Sequence, residues 1–231
     1  MPHCLPLLVV PGILEDTASW QAALAPLGRV VIALPNHGES IADMAASMVE
    51  RAPPRFALLG HSLGGYVAQQ IALTAPDRVA ALALVSTSAR AETPESRERR
   101  GALVTAARAD FPAVVAQLAR AALARDKRAA HIAGLTAIML AGGVERFARE
   151  QQAAASRPMF AGRLGGITCP ALVVTGDADA VIDPAASAEL AAELPAAQLV
   201  RIEHCGHMPQ LERPDALLAA LRGWPGAETA S

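Results

Sequence analysis

Residues 60–65 are Gly60-His61-Ser62-Leu63-Gly64-Gly65, and their reading decides the fold. Ahead of them lies the apolar run Phe56-Ala57-Leu58-Leu59, and after them Tyr66-Val67-Ala68-Gln69-Gln70-Ile71-Ala72. An apolar run of this length suits a buried strand, and the segment after it suits a helix. The spacing Gly60-x-Ser62-x-Gly64 between a strand and a helix is that of a nucleophile elbow. There the chain turns sharply, the serine backbone is strained, and small neighbours allow other backbone to come close. The hydroxyl then stands at the carboxyl end of the sheet, where open α/β sheets bind ligands.

A serine hydroxyl needs a base to take its proton, and the base needs an orienting carboxylate. His207, in Glu203-His204-Cys205-Gly206-His207-Met208-Pro209, follows the last strand candidate and is the candidate base. His204 continues that strand, His61 points off the elbow strand as a structural residue, His3 is terminal, and His131 lies in a helical region. The acid is expected between serine and histidine in chain order. The stretch 174–184, VTGDADAVIDP, offers three aspartates. Asp183 precedes Pro184 and suits a helix N-cap. Asp177 follows the strand directly, and Asp179 sits mid-loop, free to reach a histidine; Asp179 is the first choice of the three.

Outward from this constellation, strand candidates are Leu5–Pro11, Arg29–Leu34, Phe56–Gly60, Ala80–Ser86, Ala171–Gly176 and Gln198–Ile202. They are continuous apolar runs, as in parallel strands buried on both faces. Helical patterns fall between them, at Thr17–Ala25, Ile41–Arg51, Leu63–Ala75, Pro184–Glu193 and Pro214–Arg222. The alternation predicts an α/β fold: a mostly parallel, doubly wound sheet of about six strands. From Ala89 to Phe160 no strand pattern occurs. Helices are expected there around Glu95–Arg100, Phe111–Ala124, Arg128–Leu140 and Val144–Ala155, with Gly142-Gly143 as a break. The expected organisation is therefore a core of 1–88 and 161–231 and a helical cap of 89–160. The tail Gly226–Ser231 is expected to fray.

The 231 residues are 52% hydrophobic and 18% charged, with net charge −2 and a single lysine, Lys127. That composition suits a globular chain and lacks the basic excess of a nucleic-acid surface. No apolar run approaches the length of a membrane span. The opening MPHCLPLLVVPG has no basic n-region and suits a strand rather than a signal peptide. Cys4, Cys169 and Cys205 form neither a disulfide framework nor a metal pattern, so a reducing cytoplasm is expected.

The three motifs together, GHSLGG at 60–65, LVVTGDADAVIDP at 172–184 and GHMPQLERP at 206–214, resemble the serine-nucleophile α/β-hydrolase fold family with a helical cap. The resemblance covers nearly the whole chain and is weakest over 89–160. It implies a catalytic triad of Ser62, Asp179 and His207. It also implies an oxyanion hole from the backbone N–H groups of Ile13 and Leu63. The implied reaction is hydrolysis of an ester, thioester or lactone of a small substrate, with neither metal nor organic cofactor. The same triad elsewhere in the family supports carbon–carbon bond hydrolysis and perhydrolysis, and some members of the fold only bind small molecules.

The sequence departs from the family in two places. Val10-Pro11-Gly12-Ile13 has a proline where the family has histidine. In Ala33–Ser40, Ala33 and Asn36 replace an aspartate and a glycine, with Asn36 expected to tolerate a left-handed backbone. The family's N-terminal hairpin is missing from the pattern, which begins at the first long strand. Trp20, Phe111, Met139 and Met208 are candidate substrate contacts, with core packing the main role expected for Trp20. Other apolar residues of the helical segment, among them Val114, Leu118, Ile138, Leu140 and Phe147, are expected mainly to pack it onto the core. The ESRERR run at 95–100 is expected to be a solvated helix face rather than an anion site.

Overall fold

The computed structural model describes residues 5–224. His3, Cys4 and the tail Gly226–Ser231 lie outside the described residues. Six parallel strands form one sheet in the order β2-β1-β3-β4-β5-β6. They are β1 (Leu7–Val10), β2 (Val31–Ala33), β3 (Phe56–His61), β4 (Val79–Val85), β5 (Ala171–Gly176) and β6 (Ala197–Ile202). The helices of the sheet layers are α1 (Thr17–Leu24), α2 (Ile41–Arg51) and α3 (Leu63–Thr74). Between β4 and β5 come α4 (Pro94–Ala109), α5 (Phe111–Ala122), α6 (Arg128–Gly142) and α7 (Val144–Ala155). The chain closes with α8 (Pro184–Glu193), the single turn α9 (Pro209–Glu212) and α10 (Pro214–Arg222).

Successive strand side chains point to opposite faces, and the core divides accordingly. Leu8 and Val10 join Met44, Met48, Val67 and Ile71 on one side of the sheet. Leu7 and Val9 join Trp20, Leu217, Leu221 and Trp224 on the other. Burying each such large side chain contributes about 1.5–3 kcal/mol before its ordering entropy is counted. β1, β3 and β5 are buried along their whole length, as continuous apolar runs demand. The edge strand β6 differs from that expectation: Gln198, Leu199 and Arg201 are exposed, and among the described residues no further strand pairs with it.

Two of the inserted helices, α4 and α5, start where the sequence supplies caps. Thr93 Oγ1 accepts the Ser96 N–H ahead of Pro94, and Asp110 Oδ1 accepts the Ala113 N–H ahead of α5. Gly143, with φ +75°, makes the break between α6 and α7 that only glycine takes readily. These helices enclose their own apolar cluster of Val114, Val115, Leu123, Leu135, Met139 and Phe147, which also takes in Leu14 and Met208 from the loops below.

The sheet order reverses direction between β1 and β3. An open α/β sheet leaves a crevice at such a point, beyond the carboxyl ends of the strands. The loop after β1 and the turn after β3 meet there, under the inserted helices.

Candidate active site

Ser62 has φ 53° and ψ −115°, a region that non-glycine residues rarely occupy. The neighbours over-determine it. Ser62 N–H donates to Val85 O at 3.0 Å, and Ser62 O accepts from Gly65 N–H and from Thr87 Oγ1, both at 2.9 Å. A Cβ at Gly60 would overlap the Gly64 carbonyl, and one at Gly64 would overlap the Val10 carbonyl. Small residues are therefore required on both sides of the serine. The Ser62 side chain makes no capping bond to α3, so its hydroxyl is not consumed by the helix.

His207 Nδ1 and Asp179 Oδ2 are 2.8 Å apart and buried. The other Asp179 oxygen accepts the N–H groups of Val181 and Ile182, each at 2.9 Å. Burial works against the carboxylate, but the histidine and the two N–H donors outweigh it and hold its pKa below the ordinary value. The other two aspartates are occupied elsewhere. Asp177 Oδ1 accepts from Cys205 N–H at 3.2 Å, and Asp183 caps α8 through Ala185 N–H. His204 does not continue β6; it sits exposed in a turn with φ 52°. Cys205 is fully buried, and burial first, with nearby carboxylates, pushes its thiol up to about 12.

The loop after β1 is built around two buried glutamates. Glu15 Oε2 accepts from Gly12 N–H at 2.9 Å and from Trp20 Nε1–H at 2.7 Å. Its other oxygen lies 2.5 Å from His61 Nδ1. From α7, Glu150 Oε2 accepts the N–H of Leu14, whose φ is 57°, at 2.7 Å. Arg146 joins the two, donating to Glu150 Oε1 at 2.8 Å and to the Glu15 carbonyl at 2.7 Å. The N–H groups of Gly12, Leu14 and Glu15 are thus all engaged. That of Ile13, between them, has no backbone partner among the described residues. Asn36 is not left-handed as expected. It is buried, and its Nδ2–H donates to the Pro11 carbonyl at 2.9 Å, which fixes the loop where the family histidine is absent.

His61 is the residue whose role composition hid. Its Nε2 lies 2.7 Å from the His207 carbonyl and its Nδ1 against Glu15. Both neighbours offer oxygen acceptors, an arrangement that favours the doubly protonated ring. Burial opposes charge on each partner of this pair. The mutual attraction prevails, lowering the Glu15 pKa and raising that of His61. The histidine loop is held by a third buried glutamate. Glu212 Oε2 accepts from Ala124 N–H at 2.8 Å and Gly206 N–H at 3.0 Å, and Oε1 from Met208 N–H at 3.0 Å. Nothing in the sequence marks Glu15, Glu150 or Glu212, since a glutamate carries no sign of what it will accept.

Ser62, His207 and Glu15 line one cavity of ≈ 290 Å³, together with Ile13, Leu63, Met139 and Met208. Two expected substrate contacts are not there. Trp20 is fully buried beside the His61 ring and spends its N–H on Glu15. Phe111 packs against Phe147 inside the inserted helices. Ser96, Arg99 and Arg100 do line the cavity, so the ESRERR run is not solely a solvated face.

The model of the alpha/beta hydrolase family matches residues 7–220. The chain belongs to that family. A pimeloyl-[acyl-carrier protein] methyl ester esterase of Nitrosomonas europaea is 30% identical, over 92% of each chain. The dihydrolipoyllysine-residue acetyltransferase component of an acetoin cleaving system in Cupriavidus necator is 31% identical over 94% of this chain; this chain spans about 62% of that protein's length. The solved structure of a thermophilic esterase from Thermogutta terrifontis is 27% identical and superposes with a TM-score of 0.84, over 96% of this chain and 89% of that one. Among the described residues of this hydrolase no helix is long and apolar enough to cross a membrane. No group of three or more His, Cys, Asp or Glu among them is placed to hold a metal ion.

Proposed function

We propose that this hydrolase is of the carboxylesterase type and cleaves an ester, thioester or lactone of a small, largely apolar molecule through an acyl-enzyme. The observation that carries the reading is the buried His207–Asp179 contact of 2.8 Å in the cavity that Ser62 also lines. Relatives named as esterases support the same class of reaction.

The carboxylate of Asp179 accepts Nδ1–H, which leaves the Nε2 lone pair of His207 free as base. Nε2 takes the Ser62 proton while Oγ attacks the carbonyl carbon. The Ile13 and Leu63 N–H groups receive the developing oxyanion; removing one such donor in other hydrolases costs ~10²–10³ in rate. The intermediate collapses, and His207 passes its proton to the departing alcohol or thiol. Water then gives a proton to His207 and attacks the acyl carbon, and as the acid leaves His207 returns the proton to Ser62 Oγ. Leu118, Leu135 and Met139 form an apolar wall for the substrate body.

Intact-mass measurement after treatment with a fluorophosphonate tests the proposal without a guess about substrate. One adduct is expected on the wild type and none on Ser62→Ala. A folded wild type that takes no adduct would remove the nucleophile from the scheme.

A further inference from the structure

One face of α4 is chemically unlike the rest of the cavity. Ser96, Arg99, Arg100 and Leu103 follow the i, i+3, i+4, i+7 spacing of a single helix face, and all four line the cavity with Ser62 and His207. Arg97 and Glu98 are exposed and do not line it.

The charges on this wall do not balance. Arg100 Nε faces both oxygens of Glu92 at 3.3 Å, and its Nη1 donates to Gln151 Oε1 at 2.5 Å. Arg157 Nη1 bonds to the same Glu92. Glu92 is thus one buried carboxylate shared by two guanidinium groups. Arg99 has no ion-pair partner among the described residues, and Glu95, one turn back, feels it only as the least of several influences. Three guanidinium groups therefore stand against one carboxylate. The other charges around the cavity are matched within themselves, as Glu15 with His61 and Arg146 with Glu150. A wholly neutral substrate would press against Arg99 and Arg100 and give them nothing in exchange for water. A carboxylate there would make charge-assisted bonds to the planar guanidinium.

We propose that the cavity selects esters or thioesters whose chain ends in a free carboxylate, that is, monoesters of short dicarboxylic acids. Arg99 receives the carboxylate, and Arg100, held by Glu92 and Gln151, adds its charge from behind. Leu118, Leu135 and Met139 cover the methylene chain. The assignment rests on the hydrolase reading above. It turns a run that looks like surface into a specificity element.

The test compares p-nitrophenyl monoesters of C5–C7 dicarboxylic acids with the same compounds methylated at the far carboxyl, following p-nitrophenolate. The free acids are expected to give a kcat/KM about 10-fold higher at low salt, a modest figure because Arg99 is exposed. The preference should shrink as salt screens the charge. It should fall to about one in Arg99→Gln and reverse in Arg99→Glu, with circular dichroism confirming the fold of each variant. Hydrolysis of both esters by the wild type without preference for the free acid would overturn the carboxylate site and leave the hydrolase standing. Titration calorimetry with the unreactive monoamides of the same acids, free and methylated, separates the opposite case. Tighter binding of the free acid without turnover of any ester would keep the carboxylate site and remove the hydrolase. Equal binding of the two would remove the site.

Discussion

The loop after β1 and the loop after β6 open on the same cavity, and both are held by buried glutamates, yet from different distances along the chain. In the histidine loop the carboxylate is Glu212, whose three N–H partners include Gly206 and Met208, six and four residues away. In the loop after β1, Leu14 is held by Glu150, which is 136 residues away on α7. The first carboxylate sits beside the loop it holds, although it also accepts the N–H of Ala124, and His207 N–H donates to Ala122 O at 2.7 Å, both in the inserted segment. The second carboxylate comes wholly from the inserted helices. Histidine placement should therefore depend first on Glu212, beside its own loop. The geometry of the loop after β1, where we place the oxyanion hole, should depend on a carboxylate of α7.

Breaking the histidine loop should have the largest effect. Glu212→Ala leaves the N–H groups of Ala124, Gly206 and Met208 without their acceptor in a buried place. Each unmet buried donor costs about 1–3 kcal/mol. For a chain of this size 1 kcal/mol moves Tm by roughly 2–4 °C. A fall in Tm of about 10 °C or more is expected, with activity lost alongside. A melt within about 2 °C of the wild type would mean that solvent replaces the carboxylate and that the loop does not depend on it.

Breaking the loop after β1, which we propose supplies the oxyanion hole, should damage catalysis more than stability. Glu150→Ala frees the Leu14 N–H and releases Arg146, but Ile13 is displaced rather than deleted. A loss in kcat of about 10–100-fold is expected, below the full cost of removing a donor, with KM changed much less. Fluorophosphonate labelling should slow in proportion. Glu150→Gln keeps an acceptor for Leu14 N–H and should recover part of the rate. An unchanged kcat in Glu150→Ala would show that α7 does not set the loop.

The Glu15–His61 pair joins the two regions, since the His61 ring lies between the Glu15 carboxylate and the His207 carbonyl. Its contribution depends on pH with a definite sign. Glu15 is lowered from 4.5, so its part is present above that value and is lost as pH falls through the depressed folded pKa. His61 is raised from 6.5, so its part is full below 6.5 and is lost as pH rises through the raised folded pKa. Besides Glu15, the charged group that bears on His61 is Asp179, which favours the same protonated form. The stability gap between wild type and His61→Asn should be widest between about pH 4.5 and 6.5 and should narrow on the alkaline side. Chemical denaturation at several pH values measures it, and a gap independent of pH would mean the imidazole is not charged in the fold.

The contrast between the two loops also explains what the sequence makes legible. The sheet layer is legible because burial on two faces leaves long apolar runs, and Phe56–Leu59 or Ala171–Val174 admits little else. Ser62 and Asp179 are legible because each follows such a run in a short motif, and His207 because its motif follows the last strand pattern of the chain. The supporting carboxylates are not, since Glu15, Glu150 and Glu212 act on backbone N–H groups, which every residue possesses. Their partners are fixed only once the chain is folded. For the same reason Arg99 and Arg100 cannot be told from Arg97 until the phase of α4 against the cavity is known.

The smallest effect should come from an ion pair on the outside of the same inserted helices. Arg108 on α4 and Glu145 on α7 are 3.6 Å apart, but their side chains are 61% and 75% exposed. Arg146 and Glu150, one and five residues further on, are 23% and 1% exposed and also bind the loop after β1. Both pairs join oppositely charged side chains within 4 Å, so counting salt bridges would rank them alike. Water screens the outer pair, and ordering two long side chains offsets its attraction, so it contributes about 0–1 kcal/mol. Arg108→Ala should shift Tm by no more than about 2 °C and leave kcat and KM at wild-type values. If it instead lowers kcat as Glu150→Ala does, then the inserted helices govern the loop after β1 through their packing as a body. The bonds from Glu150 and Arg146 would then be one consequence of that packing rather than its means.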